Sequence, residues 1–99
     1  MPKFHKLRVS DVRRETEDTV SVAFDVPTEL QDEYNFIQGQ YLTFKLDING
    51  EQIRRNYSIC TSPLDNDLRV AIKKVEGGLF STYANEQLNV GDDLEVMAP

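Results

Sequence analysis

The 99-residue chain is long enough for one domain with a single core, and its net charge of −6 argues against a nucleic-acid-binding surface. It contains no apolar run of about 18 residues, and its first residues lack the apolar core of a signal peptide, which favours a cytoplasmic protein. A single cysteine, Cys60, and a single histidine, His5, exclude an internal disulfide, an all-cysteine iron–sulfur or zinc site and a multi-histidine site, so we predict no metal site.

The first predicted strand runs from Phe4 to Arg14. Its apolar residues Leu7 and Val9 alternate with polar neighbours, whereas Val12 is one position out of phase. Because successive side chains of a strand point to opposite faces, this slip predicts a bulge or bend near Ser10-Asp11.

The next two predicted strands show the period of two that is typical of a half-buried strand. Residues 20–26 alternate before a proline, and residues 40–48 alternate again. The polar run 28–34 between them predicts a loop. Asn49-Gly50 then supplies the residue pair that tolerates positive φ in a two-residue hairpin turn, so a fourth strand is expected to pair antiparallel with the third.

The last third of the chain changes its period twice. After a predicted loop over residues 63–67, a fifth strand begins at Leu68, and Gly77-Gly78 ends it. From Leu79 the apolar residues follow a helical period, and a sixth strand ends the sequence. The residues expected on the apolar face of the helix, and in the core, are Phe80, Tyr83, Ala84 and Leu88.

Six strands joined by short turns, with one helix, predict a mainly β fold. We expect a six-stranded antiparallel Greek-key barrel that is capped by one α-helix. Since the sixth strand runs to the last residue, we also expect residues 1–99 to form one domain of a longer protein.

The fourth strand carries the most informative residues. Alternation places Ile53, Arg55, Tyr57 and Ile59 on one face and Arg54, Asn56, Ser58 and Cys60 on the other. A strand that only filled the core would carry apolar side chains in place of the cation and the aromatic ring. Their spacing suits a ligand with an anionic part, a flat ring and a polar ring edge. A flavin nucleotide has all three.

The charge distribution is compatible with such a ligand. Residues 52–75 have a net charge of +3, whereas the rest of the chain has a net charge of −9. A basic segment in an acidic domain suits a small anionic ligand. It equally suits a solvated basic strand pair, or a non-catalytic β-barrel module that docks an acidic partner through the strand pair 54–74.

A glycine pair opens the predicted helix at Gly77-Gly78. A helix N-terminus exposes unpaired N–H groups that favour a phosphate, and glycine lets the backbone come close to it. Ser81 or Thr82 can add a hydroxyl donor. On this motif alone, a simple turn followed by a capped helix is the favoured interpretation.

Taken together, these motifs resemble the FAD-binding domain of the ferredoxin–NADP reductase family. Its Arg-x-Tyr-Ser signature is matched by Arg55, Tyr57 and Ser58. Its second segment is similar to Ala71-Ile72-Lys73, and its Gly-x-x-Ser turn is similar to Gly78-Leu79-Phe80-Ser81. Within the family, residues 36–42 and 77–83 look most similar to reductase components of phenylacetyl-CoA oxygenase systems, which act in phenylacetate catabolism.

The resemblance implies a flavoprotein oxidoreductase that passes electrons from NADH or NADPH through FAD to an iron–sulfur centre, with an oxygenase component as its partner. Tyr57 would stack on the isoalloxazine, and Ser58 would bond near the flavin N5, so both are implied as catalytic residues. Arg55 would bond the pyrophosphate. The other implied FAD contacts are Asn56 beside these residues, backbone groups of Ala71, Ile72 and Lys73, and the turn residues Gly78, Leu79, Phe80 and Ser81.

The chain departs from the family in three ways. A nicotinamide-binding domain and a 2Fe-2S domain are expected only in a full-length protein, and the glycine and aromatic residue that usually follow the final proline are absent. We therefore expect the domain to bind FAD without efficient turnover of a nicotinamide. Away from the motifs, Cys60 is expected to pack as a small buried apolar group. His5 is expected at the surface or at a strand edge.

Overall fold

A computed structural model of the chain describes residues 3–65 and 67–99. The strands are β1 Phe4–Thr16, β2 Thr19–Asp25, β3 Tyr41–Ile48, β4 Glu51–Ser58, β5 Leu68–Lys73 and β6 Asp93–Met97, and the helix is α1 Leu79–Glu86. Two short 3₁₀ helices, Thr28–Leu30 and Pro63–Asp65, lie in the predicted loops. The second of these loops also contains Asn66, which lies outside the described residues.

The six strands form one antiparallel sheet in the order β4-β3-β6-β1-β2-β5. The two outer strands meet at an isolated bridge between Ile59 and Val70, where the Cys60 N–H donates to the Arg69 carbonyl at 2.9 Å. Because β6 lies between β3 and β1, the connections follow a Greek key. The predicted barrel fold is therefore confirmed.

The predicted irregularity of β1 is also confirmed. The register of β1 against β2 shifts between Val9 and Asp11 and again between Arg14 and Thr16. The strand ends at Thr16, two residues after its predicted end. Before the first shift, residues 4–8 pair with β6. The bulge thus bends β1 where it passes from one neighbour to the other.

The turn between β3 and β4 sets the register of the fourth strand. Asn49 has φ of 53° and Gly50 has φ of 81°, as a two-residue hairpin turn requires. The ladder then runs without a shift from Ile48 opposite Glu51 to Tyr41 opposite Ser58. Since a slip of one residue would exchange the faces of β4, this turn decides which side chains of β4 face the core.

The core lies inside the sheet and is covered at one opening by α1. Phe80 and Ala84 of the helix are buried, as predicted, and Leu88 is buried just beyond the end of the helix. Tyr34 is also buried, although sequence placed it in a polar loop. Its hydroxyl donates to the Val96 carbonyl at 2.6 Å, and burial raises the pKa of Tyr34 to about 12.

The single histidine, His5, and the single cysteine, Cys60, differ in how far they are buried. His5, expected at the surface or at a strand edge, is half-buried in β1, which lies between β6 and β2, and its Nε2 is 2.7 Å from Glu33 Oε2. Cys60 is exposed, so the prediction of a buried thiol was wrong. It follows Ile59, which points inward, and therefore faces outward.

No helix within residues 3–65 and 67–99 is long and apolar enough to span a membrane.

Candidate functional site

A cleft of about 410 Å³ lies between β4 and the turn that enters α1. Of the predicted cofactor-binding residues, those that line it are Arg55, Asn56 and Tyr57 from β4 and Gly78, Phe80 and Ser81 from the turn and helix. The fold therefore brings the Arg-x-Tyr and Gly-x-x-Ser motifs to one place, although they are far apart in sequence. Ser58, Ala71, Ile72, Lys73 and Leu79 do not line the cleft.

Tyr57 forms an aromatic wall of the cleft. Its ring centroid lies 6.0 Å from that of Phe44 and 5.6 Å from that of Phe80, and the residue is half-buried. Burial raises the pKa of the Tyr57 phenol, and the positive charge of Arg55 partly opposes this shift. The ring is thus held by core aromatics on one side and keeps part of its surface open to the cleft.

Arg55 and Arg54 are adjacent cations on opposite faces of β4. Arg55 is exposed and lines the cleft, and its Nη1 donates to the Arg54 carbonyl at 2.6 Å. No carboxylate of the described residues forms an ion pair with Arg55. Arg54 lies on the outer face with its Cζ 5.3 Å from the centroid of the Phe4 ring. Of these two arginines, Arg55 therefore offers its charge to the cleft.

The first turn of α1 presents unpaired backbone donors. Gly78 is the N-cap, no described side chain caps the helix, and the first helical bond runs from the Thr82 N–H to the Gly78 carbonyl at 3.1 Å. Because the first N–H groups of a helix lack intrahelical acceptors, those of residues 79–81 are free for a ligand.

The Ser81 side chain has a different task from the predicted one. It is buried, and its hydroxyl accepts from the Val75 N–H at 3.0 Å and lies 3.4 Å from the Gly78 carbonyl. A Cβ at Gly78 would lie 2.7 Å from this hydroxyl oxygen. The hydroxyl thus fixes the turn instead of donating to a phosphate, and only the backbone of Ser81 remains for that role.

The seam between β4 and β5 is open next to the cleft. In an antiparallel sheet, backbone groups alternate between the two edges of a strand. Because the Arg69 carbonyl accepts from the segment that follows β4, Ala71 and Lys73 also direct their N–H and C=O groups to this edge. The paired region nevertheless ends at the Ile59–Val70 bridge, so the backbone edges beyond it are unpaired by the neighbouring strand.

Ile72 is not brought to the candidate site. Its side chain is fully buried, and its carbonyl accepts from Asn85 Nδ2 at 3.1 Å. The alternation that turns Ala71 and Lys73 toward the open seam turns Ile72 toward β2, where it pairs with Val20. The prediction of Ile72 as a cofactor contact therefore has no support in the geometry.

Tyr41 is a neighbour of the site that the sequence analysis did not select. It stands opposite Ser58 in the ladder and is 54% exposed, which is high for so large an apolar side chain. Ser58 is exposed as well, at the end of β4. An exposed aromatic at the start of a strand that pairs with the Arg-x-Tyr-Ser segment was the signal that could have indicated it.

The basic segment is smaller in space than in sequence. Arg69 is buried and contacts Asp11 Oδ2 at 2.6 Å, Asp67 Oδ2 at 3.2 Å and Ser21 Oγ at 2.8 Å. The Arg69 guanidinium lowers the pKa of Asp11 through their hydrogen bond. Lys74 pairs with a carboxylate of α1. Residues 52–75 contain five basic side chains, and two of them, Arg69 and Lys74, are thus neutralised internally. This weakens the idea of a docking strip for an acidic partner.

A larger cavity of about 560 Å³ contains none of the predicted site residues. Its lining includes Phe24, Asp25, Tyr34, Phe36 and Asp67. Among the described residues, its lining has two carboxylates and no basic side chain, so it does not suit an anionic ligand. The cleft at Arg55 is therefore the better candidate site.

Residues 6–99 match the family model of the oxidoreductase FAD-binding domain. The chain belongs to this family. This FAD-binding domain is 50% identical over 99 residues to one of the subunits of 1,2-phenylacetyl-CoA epoxidase from Escherichia coli (strain K12), covering 100% of the chain and 28% of that protein. It is 38% identical over 96 residues to the ferredoxin reductase component of 3-ketosteroid-9-alpha-monooxygenase of Rhodococcus rhodochrous, covering 94% of the chain and 27% of that protein.

Solved structures share the fold of this FAD-binding domain. A ferredoxin reductase in carbazole 1,9a-dioxygenase superposes with a TM-score of 0.77 at 31% identity, over 99% of the chain and 29% of that protein. A ferredoxin NADP⁺ reductase from Neisseria gonorrhoeae with bound FAD and NADP superposes with a TM-score of 0.79 at 20% identity, over 96% and 37%. The chain thus spans less than half the length of these relatives.

Proposed function

We propose that this domain binds FAD, with the pyrophosphate in the cleft at Arg55 and the isoalloxazine against Tyr57. The observation that carries the proposal is the meeting of Arg55, Tyr57 and the uncapped start of α1 at one cleft. Arg55 and the start of α1 suit the pyrophosphate, and Tyr57 suits the flat ring system. Their chemistry has to be tested part by part.

The phosphate-binding part consists of one guanidinium and several amides. A hydrogen bond to a charged group contributes about 1.5–3 kcal/mol, and the exposure of Arg55 places it at the lower end of this range. The unpaired N–H groups at residues 79–81 add the partial positive charge of a helix N-terminus. Glycine at position 78 leaves the room that the Ser81 hydroxyl needs, so that the turn presenting these N–H groups can form.

The ring-binding part consists of Tyr57, the end of β4 and the open seam. Stacking on Tyr57 contributes about 0.5–1.5 kcal/mol beyond the buried area. Ser58 would place its hydroxyl near the flavin N5, and the unpaired edge at Ala71 and Lys73 would bond the polar edge of the ring. When bound, FAD supplies a hydride acceptor that can release electrons to another centre. The chain itself binds and orients it.

We further propose that the domain acts within a longer reductase that takes electrons from NADH or NADPH and passes them to an iron–sulfur centre. From this centre the electrons would go to an oxygenase component that acts on phenylacetyl-CoA. Two facts support this proposal: the 50% identity to the Escherichia coli epoxidase protein, and the span of only 28% of that protein.

Anaerobic reduction of the full-length gene product tests this electron path. Addition of NADH or NADPH should bleach the flavin absorption and then the absorption of the iron–sulfur centre, because electrons enter through the flavin. The 99-residue domain loaded with FAD is the matched control and should bleach far more slowly. A full-length protein whose flavin is reduced by neither nicotinamide would contradict the proposed function.

A further inference from the structure

The cleft at Arg55 contains one acidic side chain, Glu76, among its described lining residues. Glu76 is exposed and takes part in none of the ion pairs among the described residues. Arg55, the cation of this lining, likewise has no carboxylate partner within residues 3–65 and 67–99. Neither charge is therefore neutralised among the described residues, and both can interact with a ligand in the cleft.

A carboxylate beside a phosphate-binding site affects the two flavin nucleotides differently. FMN ends in a phosphate monoester, which carries a charge of about −1.5 to −2 at neutral pH. FAD instead has a pyrophosphate diester, with a single charge on each phosphate, and continues into a ribose with two free hydroxyl groups. Carboxylates are common acceptors for the hydroxyl groups of a nucleotide ribose. Glu76 therefore repels the phosphates of both nucleotides, but only FAD has hydroxyl donors beyond its phosphates that offset this repulsion.

We propose that Glu76 is a specificity-determining residue that makes the cleft select the dinucleotide FAD over the mononucleotide FMN. This inference rests on the proposed FAD site. It assigns the discrimination to a side chain in the turn before α1, outside the Arg-x-Tyr-Ser segment. Arg55 and the amides of the helix N-terminus attract the phosphates of both nucleotides, and Glu76 makes the cleft discriminate between them.

The test compares the dissociation constants of FAD, FMN and riboflavin, measured by quenching of flavin fluorescence. The variants are Glu76→Gln and, as a control with the same change of net charge, Glu51→Gln. Glu51 is an exposed residue on the same strand as Arg55 and about 13 Å before it. In Glu76→Gln we expect FMN to bind about fivefold more tightly and FAD about twofold more weakly. Riboflavin, which has no phosphate, should be unaffected.

The outcomes separate this inference from the proposed function. A Kd ratio of FMN to FAD that falls about tenfold in Glu76→Gln, with a gain for FMN that shrinks at high salt, supports it. If both nucleotides change by the same factor, or if Glu51→Gln reproduces the shift, the role of Glu76 is overturned while FAD binding stands. If the wild-type domain binds no flavin at all, the proposed function itself fails.

Discussion

Replacing Arg55 with alanine, next to the same change at Arg54, isolates the proposed phosphate contact. The two arginines are neighbours on one strand, but Arg55 lines the cleft whereas Arg54 lies beside the Phe4 ring on the outer face. A charge-assisted bond is worth about 1.5–3 kcal/mol. Arg55 is exposed and only one of its donors is occupied, by the Arg54 carbonyl, so we take about 1.5 kcal/mol, the lower end of the range, as its contribution.

Titration of the purified domain with FAD, FMN and riboflavin gives the readout. A loss of about 1.4 kcal/mol corresponds to a tenfold weaker affinity, so the Kd of FAD should rise about tenfold in Arg55→Ala. Riboflavin should lose almost nothing, because it has no phosphate. Arg54→Ala should change none of the three affinities by more than about twofold, since the surface charge is largely screened. Thermal melting of both variants verifies that they fold.

Two results would refute the reasoning. Equal losses of FAD, FMN and riboflavin in Arg55→Ala would mean that Arg55 supports the fold of the cleft and not a phosphate. An equal loss of FAD in the two arginine variants would mean that only the overall charge matters.

Three further predictions concern the ring wall, the turn and a buried phenol. Tyr57→Leu should weaken FAD and riboflavin alike by about twofold to tenfold through lost stacking, whereas Tyr57→Phe should not; a selective loss of FAD would contradict this. Gly78→Ala should lower the free energy of unfolding by about 1–3 kcal/mol in thermal melts, because its Cβ would lie 2.7 Å from Ser81 Oγ; unchanged stability would contradict it. Tyr34 has its pKa raised from 10.0 to about 12, so its neutral form, bonded to the Val96 carbonyl, stabilises the fold below pH 10.0, and this contribution is lost as the pH rises to about 12. The free energy of unfolding should therefore decrease more steeply over this pH range for the wild type than for Tyr34→Phe. Parallel curves would argue against the raised pKa.

Local patterns were enough to predict the strands, the hairpin turn and the faces of β4. The reason is that the alternation of side chains and the φ demands of Asn49-Gly50 act between near neighbours. The same alternation places Cys60 outside, opposite to Ile59, and the residue-type preference that suggested burial was the weaker guide.

Contacts between distant strands could not be predicted in this way. Arg69 was counted as part of a basic surface because its partners Asp11 and Ser21 lie on β1 and β2, which only the strand order brings to it. The burial of Tyr34 likewise depends on β6, where its hydroxyl finds an acceptor.

The sequence was enough to predict which motifs form the candidate site, but not which groups of each residue are available to a ligand. The fold brings Arg55, Tyr57 and Gly78 to one cleft, in keeping with the motif analysis. Sequence did not reveal that the Ser81 hydroxyl is used within the turn, or that Ile72 faces away from the seam.

Mapping the backbone amide resonances of the domain by NMR during a titration with FAD tests the central claim most directly. If the cleft and the open seam hold the cofactor, the largest shifts should occur at residues 55–58 and 77–81 and at Ala71 and Lys73, and they should saturate at one FAD per chain. Shifts that are confined to the larger cavity around Phe24 and Tyr34, or the absence of saturable shifts, would contradict it.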